Sequence, residues 1–240
     1  MSISQKVFTS FIAICVIGFL SFTLNQKSAV LSHIVDLEKQ DLKLYWKNDD
    51  GKILKSFGKL DSWLKSKNEK LIFAMNAGMY KTDHSALGLY IENGKTLSKI
   101  STKESGYGNF YMQPNGIFYI TDSNKAVVCK TPDFKSEGVK YATQSGPMLL
   151  IDGEIHDKFM DGSKNLNIRN GVGILPNGSI VFGMSKDMIN FYDFASYFKS
   201  LGCKNVLYLD GFVSKTYLPS QGYNELKGNF GVIIGEIEKQ

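Results

Sequence analysis

Three dipeptides, Asn93-Gly94, Asp152-Gly153 and Asn177-Gly178, each stand between two short apolar runs. Such pairs accept the positive backbone angles of tight hairpin turns, so each predicts a chain folding back to form an antiparallel pair. The paired runs are residues 87–92 with 95–100, 149–151 with 154–155, and 169–174 with 180–183. A fourth hairpin joins 117–120 to 127–129 across a polar turn at 122–125. The 23 glycines against 5 prolines suit a chain of frequent turns.

Other segments read as strands or helices by periodicity. Leu42, Leu44 and Trp46 alternate like a half-buried strand, and residues 71–75, 206–209 and 231–237 are apolar runs of strand length. Ser56 is a candidate cap for a helix that places Phe57, Leu60, Trp63 and Leu64 on one face, although Gly58 weakens it. The clearest helix runs over 191–201. Asn190 caps it, Asp193 sits near its positive end, and Gly202 ends it. The expected fold is α+β: a single domain of mixed, largely antiparallel β-sheets built from hairpins, with a few packed helices, over residues 41–240. Residues 27–40 read as a linker.

Residues 1–26 read as a signal peptide or an N-terminal membrane anchor. Lys6 precedes a predominantly apolar run over 7–24, near the lower length for crossing a bilayer. The segment contacts membrane if uncleaved, and either way the body is expected to be exported.

Composition narrows the function. The net charge of +5 comes from 28 basic and 23 acidic residues that are scattered, with no basic run interleaved with aromatics, so no nucleic-acid partner is expected. Cys15, Cys129 and Cys203 have no CxxC or Cys/His ligand spacing, so no zinc site is expected. Cys129 and Cys203 read as either one disulfide or two free thiols. Of the 28 basic residues only Arg169 is arginine. In a lysine-rich chain, a lone guanidinium points to a need for its planar fork, at a ligand or in a buried structural ion pair.

Asp210 ends the apolar run 206–209 and is followed by Gly211, which permits close approach of backbone or ligand. Asp210 reads either as a cap on its own turn or as a carboxylate fixed at a rim. Asn76 repeats the pattern after 71–75 and reads as a turn residue or a ligand contact. His84 lies in a polar loop, and His156 ends a hairpin and faces a site or solvent. The glycine-rich loop 105–110 lacks a following Lys-Ser/Thr and helix, which argues against a nucleotide site.

Several stretches together resemble the phosphodiester glycosidase family, and in particular its bacterial exported branch. They are residues 73–80, Gly88-Leu89-Tyr90, Gly108-Asn109-Phe110, Pro114–Phe118, Gln144–Met148, Ile155-His156, Arg169–Gly173 and Tyr208–Ser214. The founding activity of that family removes N-acetylglucosamine from a mannose 6-phosphate diester. Much of the family has Asn-Gly-Gly and Asp-Gly-Gly-Gly-Ser where this chain has Asn76-Ala77-Gly78 and Asp210-Gly211-Phe212-Val213-Ser214. Phe212 and Val213 are expected to stiffen the loop and narrow the pocket.

The resemblance implies hydrolysis of a sugar–phosphodiester linkage in an envelope or extracellular glycan. It places Asp210 as the catalytic carboxylate, Arg169 on the phosphate and His156 in proton transfer. Asn76, Gln144, Ser145, Asn170 and Ser214 would bind sugar hydroxyls or phosphate oxygens. The implied partner is a sugar-phosphate or phosphorylated glycan, and no cofactor or resident metal is implied. The alternative is an exported module that binds anionic glycans without cutting them.

Overall fold

The computed structural model describes residues 29–240, so the leader and Cys15 lie outside the described residues. The strands are β1 (Val30–Val35), β2 (Asp41–Tyr45), β3 (Glu69–Asn76), β4 (Tyr90–Glu92), β5 (Lys95–Ser98), β6 (Gly116–Thr121), β7 (Ala126–Lys130) and β8 (Val139–Ser145). They continue with β9 (Met148–Ile151), β10 (Glu154–Ile155), β11 (Asn170–Ile174), β12 (Ile180–Ser185), β13 (Val206–Asp210), β14 (Thr216–Tyr217) and β15 (Ile233–Lys239). The helices among the described residues are α1 (Phe57–Lys65) and α2 (Phe191–Ser200).

The expected turns form. Asn93 and Gly94 take φ of 50° and 74°, and Asp152 and Gly153 take 51° and 90°, as two-residue hairpins demand. Three sheets result, with strand orders β1-β12-β11-β13-β9-β10, β14-β3-β15-β2 and β5-β4-β8-β6-β7. Among the described residues every ladder is antiparallel, so the mixed pairing expected from the sequence is corrected. The hairpins form local pairs. β15 returns between β2 and β3, which only the tertiary fold brings together.

The three sheets face one shared core in which Leu44, Phe73, Phe118, Phe182 and Leu207 meet. Each helix covers an outer face. α2 lays Phe191, Phe194, Ala195 and Phe198 on Leu149, Val181, Val206 and Tyr208 of the six-stranded sheet. α1 lays Phe57, Leu60 and Leu64 on Leu71, Ala74 and Ile233 of the four-stranded sheet. β13 is therefore buried on both faces, with Val206 and Tyr208 under α2 and Leu207 and Leu209 in the shared core. A continuous apolar run is what such a strand requires.

Both helix starts follow the sequence signals. Ser56 accepts from Lys59 N at 3.3 Å. Asn190 accepts from Asp193 N at 2.8 Å, and its amide donates to the Asp193 carboxylate. Gly202 stops α2 with φ of 80°. Gly58 is explained by the loop packed against α1: its N–H donates to Leu226 O at 2.8 Å, and a Cβ there would stand 3.3 Å from that oxygen.

The linker expected over 27–40 is corrected, because residues 30–35 form edge strand β1, paired along its length with β12. Val30 packs with the α2 cluster while Leu31 and Val35 enter the shared core, so the segment has apolar side chains for both faces. His33 then bridges sheets, stacking on Phe73 at 4.4 Å with Nε2 2.5 Å from a Glu236 carboxylate oxygen. Among the described residues no helix is long and apolar enough to cross a membrane. Cys129 and Cys203 are free thiols, and burial pushes both up to about 11.

The α2 start offers a direct check. Asn190→Ala removes a buried N-cap acceptor and should cost about 1 kcal/mol. Urea unfolding at unchanged m-value should show it, and an unaltered midpoint would mean that Asn190 does not anchor the helix.

Candidate active site

β3, β11 and β13 end side by side, and their last or first residues are Asn76, Asn170 and Asp210. Asn170 lies at the centre. Its Nδ2 donates to Asn76 O at 3.0 Å and Asn76 Oδ1 at 2.9 Å. Its Oδ1 accepts from Asp210 N at 2.8 Å and Ser214 Oγ at 3.3 Å. Both donors and both lone pairs of the carboxamide are used, which fixes its orientation. Asn76 Oδ1 also accepts from Lys215 N at 2.9 Å, which leaves its Nδ2 as the donor still available. That buried nitrogen has no hydrogen-bond partner. It lies close enough to Asp210 for Asn76 to help hold the pKa of that carboxyl down. Asn76 thus stands beside Asp210, and the walls of the adjoining cavity do not include it.

The carboxylate is aimed by a bulge. Asn170 pairs with Asp210 and Gly171 with Tyr208, so Leu209 is the extra residue in β13. Ser145 Oγ takes up the Leu209 carbonyl at 2.8 Å. Asp210 Oδ1 accepts from Phe212 N at 2.9 Å and Val213 N at 3.4 Å. The Asp210 side chain therefore does both things expected of it, capping its own turn while lining a cavity. Burial raises its pKa above the ordinary aspartate value of 3.8, and the amides of Phe212, Val213 and Gly211 pull the other way. Gly211 is obligatory here because a Cβ would fall 1.5 Å from Tyr208 Oη.

The cavity has a volume of about 550 Å³. Its walls are residues 79–82, 107–109 and 210–213, together with Leu87. Lys81 is the basic residue among them and Asp210 the acidic one. Tyr80 is held by a hydrogen bond from Oη to Asn229 O, and His84 stacks behind it at 5.3 Å and meets Asn229 Oδ1 at 2.8 Å. His84 thus supports a wall and does not line the cavity. Phe212 was expected to narrow the pocket. It is 96% exposed and stands at the mouth.

Arg169 is fully buried. Nε donates to Ile189 O at 2.8 Å, Nη1 to Tyr208 Oη at 3.2 Å, and Nη2 to Asn165 O and Oδ1 at 2.8 and 3.1 Å. These are neutral oxygens, so the alternative of a buried ion pair is corrected to a buried cation among carbonyls and a phenol. Cζ lies 3.6 Å over the Phe191 ring, which stacks on Phe159 at 4.6 Å, and Phe159 stacks on His156 at 4.8 Å. Arg169 approaches the site through Tyr208, whose hydroxyl sits beneath Gly211.

His156 is the far end of the same stack. Its Nε2 donates to Gln113 O at 3.0 Å, and its Nδ1 lies 3.2 Å from Lys158 N and 3.0 Å from the Asp157 carboxylate. Burial lowers its pKa, against the pull of Gln113 O and the exposed Asp157 carboxylate. Neither ring nitrogen is free for the expected proton transfer. Gln144 is likewise engaged. Its Oε1 accepts from Leu89 N and Ser101 N, and its Nε2 donates to Ser101 O and Thr131 Oγ1. The structure therefore brings Asn76, Asn170, Asp210 and Ser214 together. Arg169, His156, Gln144 and Ser145 lie behind the wall as supports. Among the described residues no three His, Cys, Asp or Glu side chains cluster.

Lys81 and Tyr107 escaped the sequence reading as site residues, while Phe212 entered it only as bulk expected to narrow the pocket. Lysine is too common in this chain to mark a site, and both aromatics sit in loops whose mutual approach no local pattern encodes.

The model of the phosphodiester glycosidase family matches residues 69–231, a span that holds all these groups. The uncharacterized protein YigE of Escherichia coli (strain K12) is 37% identical over 193 residues, covering 79% of this chain and 74% of that protein. Among solved structures, the zebrafish N-acetylglucosamine-1-phosphodiester alpha-N-acetylglucosaminidase catalytic domain, auto-inhibited by its pro-peptide, superposes with a TM-score of 0.56 at 14% identity. That match covers 88% of this chain and 84% of that one. A hypothetical protein from Synechocystis superposes at 0.52 with 13% identity, over 87% of this chain and 59% of that one.

Replacing Arg169 tests its role as a support. Arg169→Lys leaves buried oxygens without donors and removes the stack on Phe191, so stability should fall by about 2 kcal/mol or more. Urea unfolding measures this. Unchanged stability with lost ligand binding would instead put the guanidinium on the ligand.

Proposed function

The chain belongs to the phosphodiester glycosidase family, and from that membership we propose that it hydrolyses a sugar–phosphodiester linkage with Asp210 as the carboxylate at the reacting carbon. The observation that carries the reading is the buried Asp210 carboxyl in the wall of a cavity of about 550 Å³, with the Asn76 side chain beside it helping to hold its pKa down. Sites for small molecules span roughly 300–1,000 Å³.

In this reading the bond between sugar C1 and the bridging oxygen breaks and the phosphate departs as a monoester anion. Such a leaving group needs little protonation, so a single carboxylate suffices where ordinary glycosides use two. Asp210 faces the positive charge that develops at C1, or takes a proton from the attacking water whose oxygen bonds to C1. Lys81 balances the phosphate charge, a role first given to Arg169. The Asn76 side chain, next to Asp210, helps keep that carboxyl ionised. Asn170 and Ser214 hold Asp210 and Asn76 in place, while Arg169 and His156 act at a distance through Tyr208 and the ring stack. The apolar leader over residues 7–24 supports an exported enzyme acting on an envelope or extracellular glycan.

The test is incubation with sugar-1-phosphate methyl diesters in heavy-oxygen water. Heavy oxygen in the released sugar supports C1–O cleavage; heavy oxygen in the phosphate rejects the glycosidase reading, and saturable binding without release favours a binding module. Asp210→Asn should lower turnover at least about 100-fold, the order expected for a preorganised electrostatic group. Lys81→Met should lower kcat/KM roughly tenfold, about 1.4 kcal/mol.

The raised Asp210 pKa has two consequences with defined signs. Activity that needs the ionised carboxylate should fade, as pH drops, at a higher pH than an ordinary aspartate would give. Between 3.8 and the folded-state pKa, the folded chain holds a proton that the unfolded chain has lost, so stability falls as pH rises. At pH 7 the ionised, buried Asp210 therefore costs stability. Asp210→Asn keeps an acceptor for Phe212 N and should melt no lower than the parent at pH 7. A lower melting temperature would mean that the charge stabilises the fold.

A further inference from the structure

Among the described residues nine large apolar side chains stand exposed, and four of them are Met160, Leu166, Met188 and Phe212, at 70%, 43%, 66% and 96%. All four lie in loops at one end of the six-stranded sheet, where β10, β12 and β13 finish and β1 and β11 begin. Met160 and Leu166 stand between β10 and β11, Met188 between β12 and α2, and Phe212 just after β13. A bridge between Asn167 and Ile189 sets the segments of Leu166 and Met188 side by side. Single exposed apolar residues are ordinary, whereas a group gathered at one end of a fold marks a surface that meets a partner.

The chain enters the fold at that same end. The Ala29 carbonyl accepts from Lys186 N at 2.9 Å, two residues before Met188. Leu31, Met184, Asn170 and Asp210 then form one row across β1, β12, β11 and β13. Neighbouring strands lie about 4.8 Å apart, so the backbone of Leu31 stands about 14 Å from that of Asp210. Residues 25–28 separate Ala29 from the predominantly apolar run over 7–24. The five steps from Leu24 to Ala29 span at most about 18 Å.

We infer that this end of the six-stranded sheet docks on the lipid bilayer that receives the apolar run 7–24, with Met160, Leu166, Met188 and Phe212 entering its interface. The inference rests on the reading of residues 7–24 as an anchor and is independent of the chemistry at Asp210. Apolar side chains on loops gain by leaving water at the boundary between headgroups and acyl chains. A short tether strengthens the contact, because it holds the face at high effective concentration over the membrane. Charge adds no preference for anionic lipid, since exposed Lys158, Lys164 and Lys186 alternate with exposed Asp157, Asp161 and Asp187. Phe212 also lines the cavity, so the cavity opens beside the lipid surface.

The full chain, reconstituted into phosphatidylcholine vesicles with brominated acyl chains, tests the face by quenching of single added tryptophans, read against the parent with its Trp46 and Trp63. Leu166→Trp and Met188→Trp should lose most of their added emission to bromine. Ile34 is exposed on the same sheet but lies towards the opposite end of β1, opposite Val181, so Ile34→Trp should keep its emission. Adding Met160→Glu and Phe212→Glu to the Leu166→Trp chain should restore emission there, because a charged side chain enters the acyl region only at high cost. Every replaced side chain is exposed, so the thermal midpoints should match the parent.

Full emission from Leu166→Trp and Met188→Trp, or equal quenching of Ile34→Trp, overturns the inference. Quenching that persists after the glutamates are added means that the tether alone brings the body to the lipid, and it overturns the docking face. A dimer in the vesicles with Met188→Trp unquenched gives the face to a second copy of the chain and overturns the inference as well. Asp210→Asn should leave the quenching at Leu166→Trp unchanged, so this test stands or falls apart from that of the reaction.

Discussion

The fold meets its proposed chemistry at the Asn170 carboxamide. β11 belongs to the six-stranded sheet and β3 to the four-stranded one, and Asn170 joins their ends while holding the backbone of Asp210 and the hydroxyl of Ser214. All four of its hydrogen-bonding positions are used, in a place where any left empty would carry a full desolvation cost. Aspartate there would lose the donors to Asn76 and set a second charge beside Asp210. Leucine would strand Asp210 N and Asn76 O. The position of the catalytic candidate thus depends on a neutral amide.

Around this joint the polar groups divide into two layers with different tasks. Gln144, Ser145, His156 and Arg169 are buried and satisfied, so their polarity serves geometry. Ser145 repairs the carbonyl freed by the β13 bulge, and Arg169 fixes the Tyr208 hydroxyl against which Gly211 rests. Asp210 differs: it keeps a carboxyl in a buried setting, with the Asn76 side chain beside it. Such a group costs stability, and a fold retains it where binding or catalysis offsets that cost.

Much of the architecture was legible in local sequence. Hairpin turns need φ values that Asn-Gly and Asp-Gly accept, helix starts need side-chain acceptors, and a strand buried on both faces needs an unbroken apolar run, as at 206–209. β1 was missed because its polar Ser32 and His33 interrupt the apolar pattern, and their partners lie far along the chain in β12 and on Glu236. Pairing that distant leaves no local mark.

The sequence by itself determined the turns, both helices, most strands, the family and the special standing of Asp210, since each rests on short-range spacing or on recognisable motifs. Only the tertiary structure decided which polar residues face the cavity. Arg169 and His156 carry suitable chemistry and lie within family motifs, yet their hydrogen bonds are consumed by Asn165, Ile189, Tyr208, Gln113 and Lys158. Lys81 and Tyr107, ordinary in sequence, line the cavity together with Phe212 because three loops converge there. A residue type states what a side chain is able to do, and the burial and partners set by distant segments decide which of those capacities remain free.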